Sequence, residues 1–121
     1  MCTTARCRKK NAMSERPVEL SVVTPMHNEE LCVREFHRRV TAALGGLGIE
    51  YEIVVVNDGS TDSTPAILRE LAQADRHVVG VFLARNRGQC TAIYAGLQHT
   101  RGRYVVIMDG EIGRASCRER V

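Results

Sequence analysis

Residues 51–62 read YEIVVVNDGSTD, and this stretch decides the fold class. Tyr51 to Asn57 is rich in β-branched residues and almost continuously apolar, the pattern of a strand buried on both faces. It runs into Asn57-Asp58-Gly59-Ser60-Thr61-Asp62, residue types that turn a chain and hydrogen-bond its backbone. Thr64-Pro65 then reads as an N-cap followed by proline in the first helical position, with Ile67, Leu68, Leu71 and Ala74 on one helix face. Buried strand, polar turn and helix together form the repeating unit of a parallel sheet.

The unit recurs on both sides. LSVVTP (Leu20 to Pro25) is a short apolar run stopped by proline. Val33, Phe36, Val40, Ala43, Leu44 and Leu47 follow at helical spacing, and Gly45, Gly46 and Gly48 end that helix. Val78 to Ala84 is a third strand, followed by a helix over about residues 89–99 with Ala92, Ile93 and Leu97 inward. Arg103 to Met108 is a fourth strand, which reads as buried from Val105 onward. The expectation is an α/β, Rossmann-like fold with four mostly parallel strands alternating with helices. GGLG lies between a helix and a strand, the reverse of a dinucleotide fingerprint, and no G-x-x-x-x-G-K-[ST] phosphate loop occurs.

The chain has 121 residues, 44% hydrophobic and 26% charged, enough for one core and not two. Its formal charge of +3 is set by its ends: Arg6, Arg8, Lys9 and Lys10 precede residue 13, while Arg114, Arg118, Glu119 and Arg120 follow residue 111. Removing those contributions of +4 and +2 leaves a body at −3, the wrong sign for nucleic acid or an anionic membrane. Cys2, Cys7, Cys32, Cys90 and Cys117 show no C-x-x-C pair, so neither zinc nor a disulfide framework is expected. No apolar run is long enough for a membrane span, and no signal peptide opens the chain. The sequence is therefore expected to be soluble and cytoplasmic, with a disordered basic leader over residues 1–17, in which Met13 is an alternative start.

In an open parallel sheet, ligands bind outside the carboxyl ends of the strands. The four segments there are Pro25-Met26-His27-Asn28-Glu29-Glu30, Asn57 to Asp62, Arg85-Asn86-Arg87-Gly88-Gln89, and Asp109-Gly110-Glu111. Carboxylates follow three of the four strands. Turn and capping roles are one reading of Asp58, Ser60 and Asp62, and Asn28 with Glu29 could cap the first helix. The other reading takes the rim as a whole. Asp109 and Glu111 repel each other unless a cation compensates, and oxygen ligands at that spacing suit Mg²⁺ or Mn²⁺. Such an ion would neutralise a diphosphate, with Arg87 assisting, while Asp58 and Glu29 accept hydrogen bonds from a base and ribose. Spacing thus points to a nucleoside diphosphate held through a metal.

At these residues the sequence resembles the family-2-like glycosyltransferases of GT-A fold, and within them the dolichyl- and undecaprenyl-phosphate sugar transferases. SVVTPMHNEE is similar to their P-x-x-N-E segment, YEIVVVNDGSTDST to their second-strand aspartate motif, and FLARNRGQCTAIYAGLQHTRGRYVVIMDGE to their RN-x-G helix and D-x-D strand. The match covers about Leu20 to Glu111. The resemblance implies that Pro25, Asn28, Glu29 and Asp58 hold the nucleoside, that Gln89 lies near the phosphates, and that Asp109 with Glu111 binds Mg²⁺ or Mn²⁺. His27 stands where a tyrosine is common, which should alter stacking on the base. Glu111 stands where aspartate is expected.

The implied activity is transfer of a sugar from a UDP- or GDP-linked donor to a polyprenyl phosphate, by an enzyme at the cytoplasmic face of the membrane, with no nucleic-acid partner. A saccharide hydroxyl acceptor is the alternative, and would require a general base beyond residue 111. Two other classes remain: a non-catalytic nucleotide-binding module, and a phosphotransfer or phosphatase domain, although residues 18–111 contain no lysine for the latter. After residue 111 the resemblance stops. IGRASCRERV (Ile112 to Val121) matches the translation of a common sequencing-library adapter, so residues 112–121 are expected to be a non-native tail. The expected organisation is thus a leader, a donor-binding part over residues 18–111 and that tail, with the last strand as an unprotected edge and the chain inactive by itself.

Overall fold

The computed structural model describes residues 4–7 and 17–108. The elements are β1 (Thr4–Cys7), β2 (Leu20–Met26), α1 (Val33–Gly45), β3 (Tyr51–Asp58), α2 (Thr64–Ala74), β4 (Val78–Leu83), α3 (Gln89–Leu97) and β5 (Tyr104–Ile107). They form one five-stranded sheet in the order β1-β4-β3-β2-β5. The four strands β2 to β5 are parallel, as the sequence predicts. Thr4–Cys7 falls in the segment expected to be a disordered leader, yet it pairs antiparallel with β4. The physical reason is that β4 would otherwise leave a row of backbone donors and acceptors open at the sheet edge.

All eight residues of β3 are buried, and their alternation splits the core in two. Ile53 and Val55 join Val22, Met26, Phe36, Val40, Leu44 and Leu68 under α1 and α2. Val54 and Val56 join Val23, Val79, Val81, Ala92 and Ala95 under α3. This two-sided cover is why the strands read as continuous apolar runs. Each buried valine contributes roughly 1.5–3 kcal/mol over an exposed one.

α3 corrects one detail of the sequence reading. Its inward face is Ala92, Ala95 and Gly96, while Leu97 is exposed and Ile93 is half-buried. A Cβ on Gly96 would lie 2.8 Å from methyl groups of both Val23 and Val56, so the helix sits too close to the sheet for larger side chains. β5 takes the expected edge position, and the reading of it as buried from Val105 onward is the second correction. Its four residues are all exposed, because it forms the open edge beside β2. An apolar groove of about 350 Å³ runs along this edge, lined by Val22, Phe36, Val40, Leu44, Val106 and Met108 among others.

Two polar clusters tie the amino ends of the strands. The Glu52 carboxylate is fully buried and accepts from the Ser21 hydroxyl (2.7 Å) and the Arg101 N–H (2.6 Å), while Gly102 donates to Ser21 Oγ (2.8 Å). This latch fixes the turn that leads into β5. Nearby, Asp75 Oδ2 lies 2.8 Å from His37 Nε2, and Asp75 Oδ1 lies 3.0 Å from His77 Nδ1. The His77 ring stacks on Tyr51 at 4.0 Å. The hydrogen bond from His37, joined by those from His77 and opposed by burial, holds the Asp75 carboxyl well below its ordinary value.

Two predictions follow from packing and charge. Gly96→Val is expected to lower stability by about 2–3 kcal/mol in urea unfolding. Gly45→Ala, where a Cβ meets nothing within 4 Å, serves as a near-neutral control. Because the folded-state pKa of Asp75 is depressed, its contribution is present above the ordinary aspartate value of 3.8 and lost as pH falls below it. The stability difference between wild type and Asp75→Asn should therefore be full at pH 6 and shrink on acidification below that value.

Candidate functional site

The strand order places a topological switch between β2 and β5. The chain steps from β2 to β3 to β4 in one direction, then returns to lay β5 on the far side of β2. Loops after adjacent strands diverge there and leave a crevice at the carboxyl edge. The segments after β2, β3 and β4 meet at this edge. Asp109 and Glu111 lie just past β5 in sequence, outside the described residues.

The first and second loops interlock through short polar side chains. Asn28 adopts φ +54, a left-handed conformation that asparagine tolerates, and its N–H donates to Ser60 Oγ at 2.9 Å. Asn28 Oδ1 accepts the Thr61 N–H at 2.8 Å. The Glu29 N–H donates to Thr64 Oγ1 at 3.0 Å, and Glu30 Oε1 accepts the Ser63 N–H at 2.9 Å. Asp62 Oδ1 accepts the Thr64 N–H at 2.9 Å, so the turn-and-cap reading holds for Asp62. Burial opposes the charge on Asp62, and hydrogen bonds from Thr64 and Glu30 outweigh it, holding its carboxyl below the ordinary value.

The second and third loops are joined by Asp58. The residue is 4% exposed, with carboxylate Oδ1 accepting the Arg87 N–H at 2.8 Å and Oδ2 the Gly88 N–H at 3.1 Å. Each oxygen retains a second lone pair for another donor. Asp58 therefore sets the position of Arg87 and of the N-terminus of α3, whose first residue is Gln89. That terminus carries the positive end of a helix dipole, which suits phosphate. Gly59 lets the loops approach. It has φ +65, and a Cβ there would collide with the backbone of Arg85 and Asn86.

His27 connects all three loops. Its Nδ1 lies 2.8 Å from the Asp58 carbonyl oxygen, and its Nε2 lies 3.2 Å from Asn86 Nδ2. Thus His27, Asn28, Glu29, Asp58 and Arg87 converge at one edge, with Gln89 exposed beside them. Pro25 differs, being buried in β2 opposite Val56. It sits past the point where β5 pairing ends at Val23↔Ile107, where a missing N–H costs the ladder least. Asn86 was not singled out by the sequence, because an asparagine two residues before a loop glycine looks like an ordinary turn residue. Among the described residues no group of three His, Cys, Asp or Glu side chains is arranged to hold a metal ion.

Gly59→Ala is expected to cost about 2–4 kcal/mol, since strain and a backbone collision add. Gly88→Ala, at φ +98 with open space around its Cβ, should cost only the strain of about 1–3 kcal/mol. Urea midpoints of the two variants compare them directly.

Known structures share this fold. The S. aureus protein TarS (residues 1–349) superposes with a TM-score of 0.65 at 23% identity, over 84% of this chain and 32% of that one. TarS in complex with UDP-GlcNAc gives 0.64 at 23% identity, over 84% and 30%. The mannosyltransferase PcManGT from Pyrobaculum calidifontis, in complex with GDP-Man and Mn²⁺, gives 0.66 at 27% identity, over 80% and 28%. The chain thus spans about a third of the length of these GT-A-like proteins or slightly less. Residues 21–110 match the model for glycosyl transferase family 2, which is well over half of the sequence, and the chain belongs to that family.

Proposed function

We propose that this chain is the donor-binding part of an inverting glycosyltransferase that moves a hexose from a nucleoside-diphosphate donor to a polyprenyl phosphate. The observation that carries this reading is the Asp58 clamp, which draws Arg87 and the N-terminus of α3 against the loop after β3. Nucleoside and diphosphate then have separate partners at one edge: Asn28, Glu29 and Asp58 for the base and ribose, Arg87 and Gln89 for the phosphates.

Asp109 and Glu111 supply hard carboxylate oxygens, a donor set that suits Mg²⁺ or Mn²⁺ and fits no softer metal as well. An ion held there would offset the charge that develops on the departing diphosphate. In the transfer itself, an acceptor phosphate oxygen attacks C1 from the face opposite the donor diphosphate. The new C1–O bond forms as the bond to the diphosphate breaks, which inverts the anomeric centre. Arg87 and the α3 N–H groups stabilise the leaving group. A phosphate acceptor arrives already ionised, so no protein base has to remove a proton. A saccharide hydroxyl would need such a base. Among the described residues no helix is long and apolar enough to cross a membrane, so attachment to a lipid acceptor's membrane would come from elsewhere in the full protein.

The test is calorimetric titration of the 121-residue chain with UDP and with GDP, in Mn²⁺ and in chelator. One nucleotide is expected to bind, with affinity falling at least about tenfold on chelation or in Asp109→Ala, the loss of one charge-assisted contact. No sugar release is expected from the chain alone. Absence of binding by either nucleotide would overturn the proposal, whereas binding without turnover in the full-length protein would favour a non-catalytic module.

A further inference from the structure

We infer that His27 is a positioning residue, held as its Nδ1–H tautomer by a hydrogen-bond network that joins three loops. The Asp58 carbonyl oxygen can only accept, so the ring nitrogen 2.8 Å away, Nδ1, carries the hydrogen. The other ring nitrogen faces two side-chain amides whose orientations are set independently. Asn86 Oδ1 accepts the Gly88 N–H at 3.0 Å, which turns its NH₂ toward His27 Nε2 at 3.2 Å. Asn28 Oδ1 accepts the Thr61 N–H at 2.8 Å, which turns its NH₂ toward the same nitrogen at 3.3 Å. Reversing either amide would set its NH₂ against a backbone N–H. Nε2 is therefore the acceptor of the network, and one imidazole links the loops after β2, β3 and β4.

This assigns the ring a different task from stacking on a base. Both of its nitrogens are engaged within the protein, and the bond to the Asp58 carbonyl lies one residue from Gly59, where the loops touch. His27 fixes the backbone that carries the Asp58 carboxylate. That carboxylate in turn fixes Arg87 and Gly88. An asparagine at position 27 could still offer an N–H near the place of Nδ1 without an aromatic face. A phenylalanine would keep the face and lose both hydrogen-bonding atoms.

The experiment is heteronuclear NMR on the unliganded 121-residue chain. Long-range ¹H–¹⁵N correlations should show His27 Nδ1 as the protonated nitrogen and Nε2 as the bare one. The backbone amide signals of Arg87 and Gly88, which report the Asp58 clamp, should move in His27→Phe and stay near their wild-type positions in His27→Asn. An Nε2–H tautomer in the wild type would overturn the inference. So would Arg87 and Gly88 signals unmoved in His27→Phe. The consequence for ligand binding rests on the function proposed above: His27→Phe should weaken the nucleotide about tenfold and His27→Asn much less. The opposite order would make the ring a stacking surface. If no nucleotide binds the wild type, the proposed function fails while the NMR result still decides the role of His27.

Discussion

The carboxyl edge of this sheet depends on one buried carboxylate. Asp58 leaves water at the end of β3, and its desolvation is offset by two backbone N–H groups 29 and 30 residues later in the chain. Each side needs the other. Without Arg87 and Gly88 the carboxylate would be a buried unpaired charge, and without Asp58 the loop before α3 would lose its anchor. A glycine at position 59 completes the arrangement by letting two backbones touch. The remaining contacts, from Asn28, Glu30, Ser60 and Thr64, tighten a geometry that Asp58 has already set.

The two ends of the sheet use polarity differently. At the amino end, Glu52 and Asp75 are satisfied largely within the fold and tie turns to the strands they precede or follow. At the carboxyl end, satisfied and available groups alternate: Asp58 is clamped, while the α3 terminus faces outward with Gln89 exposed. A ligand edge of this kind needs both, since a site made only of mobile groups would have to be ordered by its ligand at an entropic cost.

The parallel order of β2 to β5 was legible because burial on both faces leaves a plain signature, an unbroken apolar run such as Ile53 to Val56. Helix starts and stops followed from proline and glycine. What the sequence hid was distance. The spacing of Ala92, Ile93 and Leu97 predicts an apolar helix face, but only the close approach of α3 to Val23 and Val56 selects Ala92, Ala95 and Gly96 instead. Likewise Val105 to Ile107 has the composition of a core strand, and its exposure depends on which neighbour it lacks. At the site, the convergence of His27, Asn28, Asp58 and Arg87 was legible from strand ends alone. The part played by Asn86 was not, because it depends on a partner 59 positions away.

The Glu52 latch bears on the order in which the chain assembles. Its members come from the start of β2, the start of β3 and the turn before β5, with 31 residues between Ser21 and Glu52, 49 between Glu52 and Arg101, and 81 between Ser21 and Gly102. Ser21 and Glu52 meet as soon as β2 pairs with β3, a closure across one helix. Arg101 and Gly102 can find them only after α2, β4 and α3 have been laid down between. The buried carboxylate thus receives the Arg101 N–H only when the last segment arrives. β5 is set as the final strand to dock, and on the same grounds the first to detach when the native state opens locally.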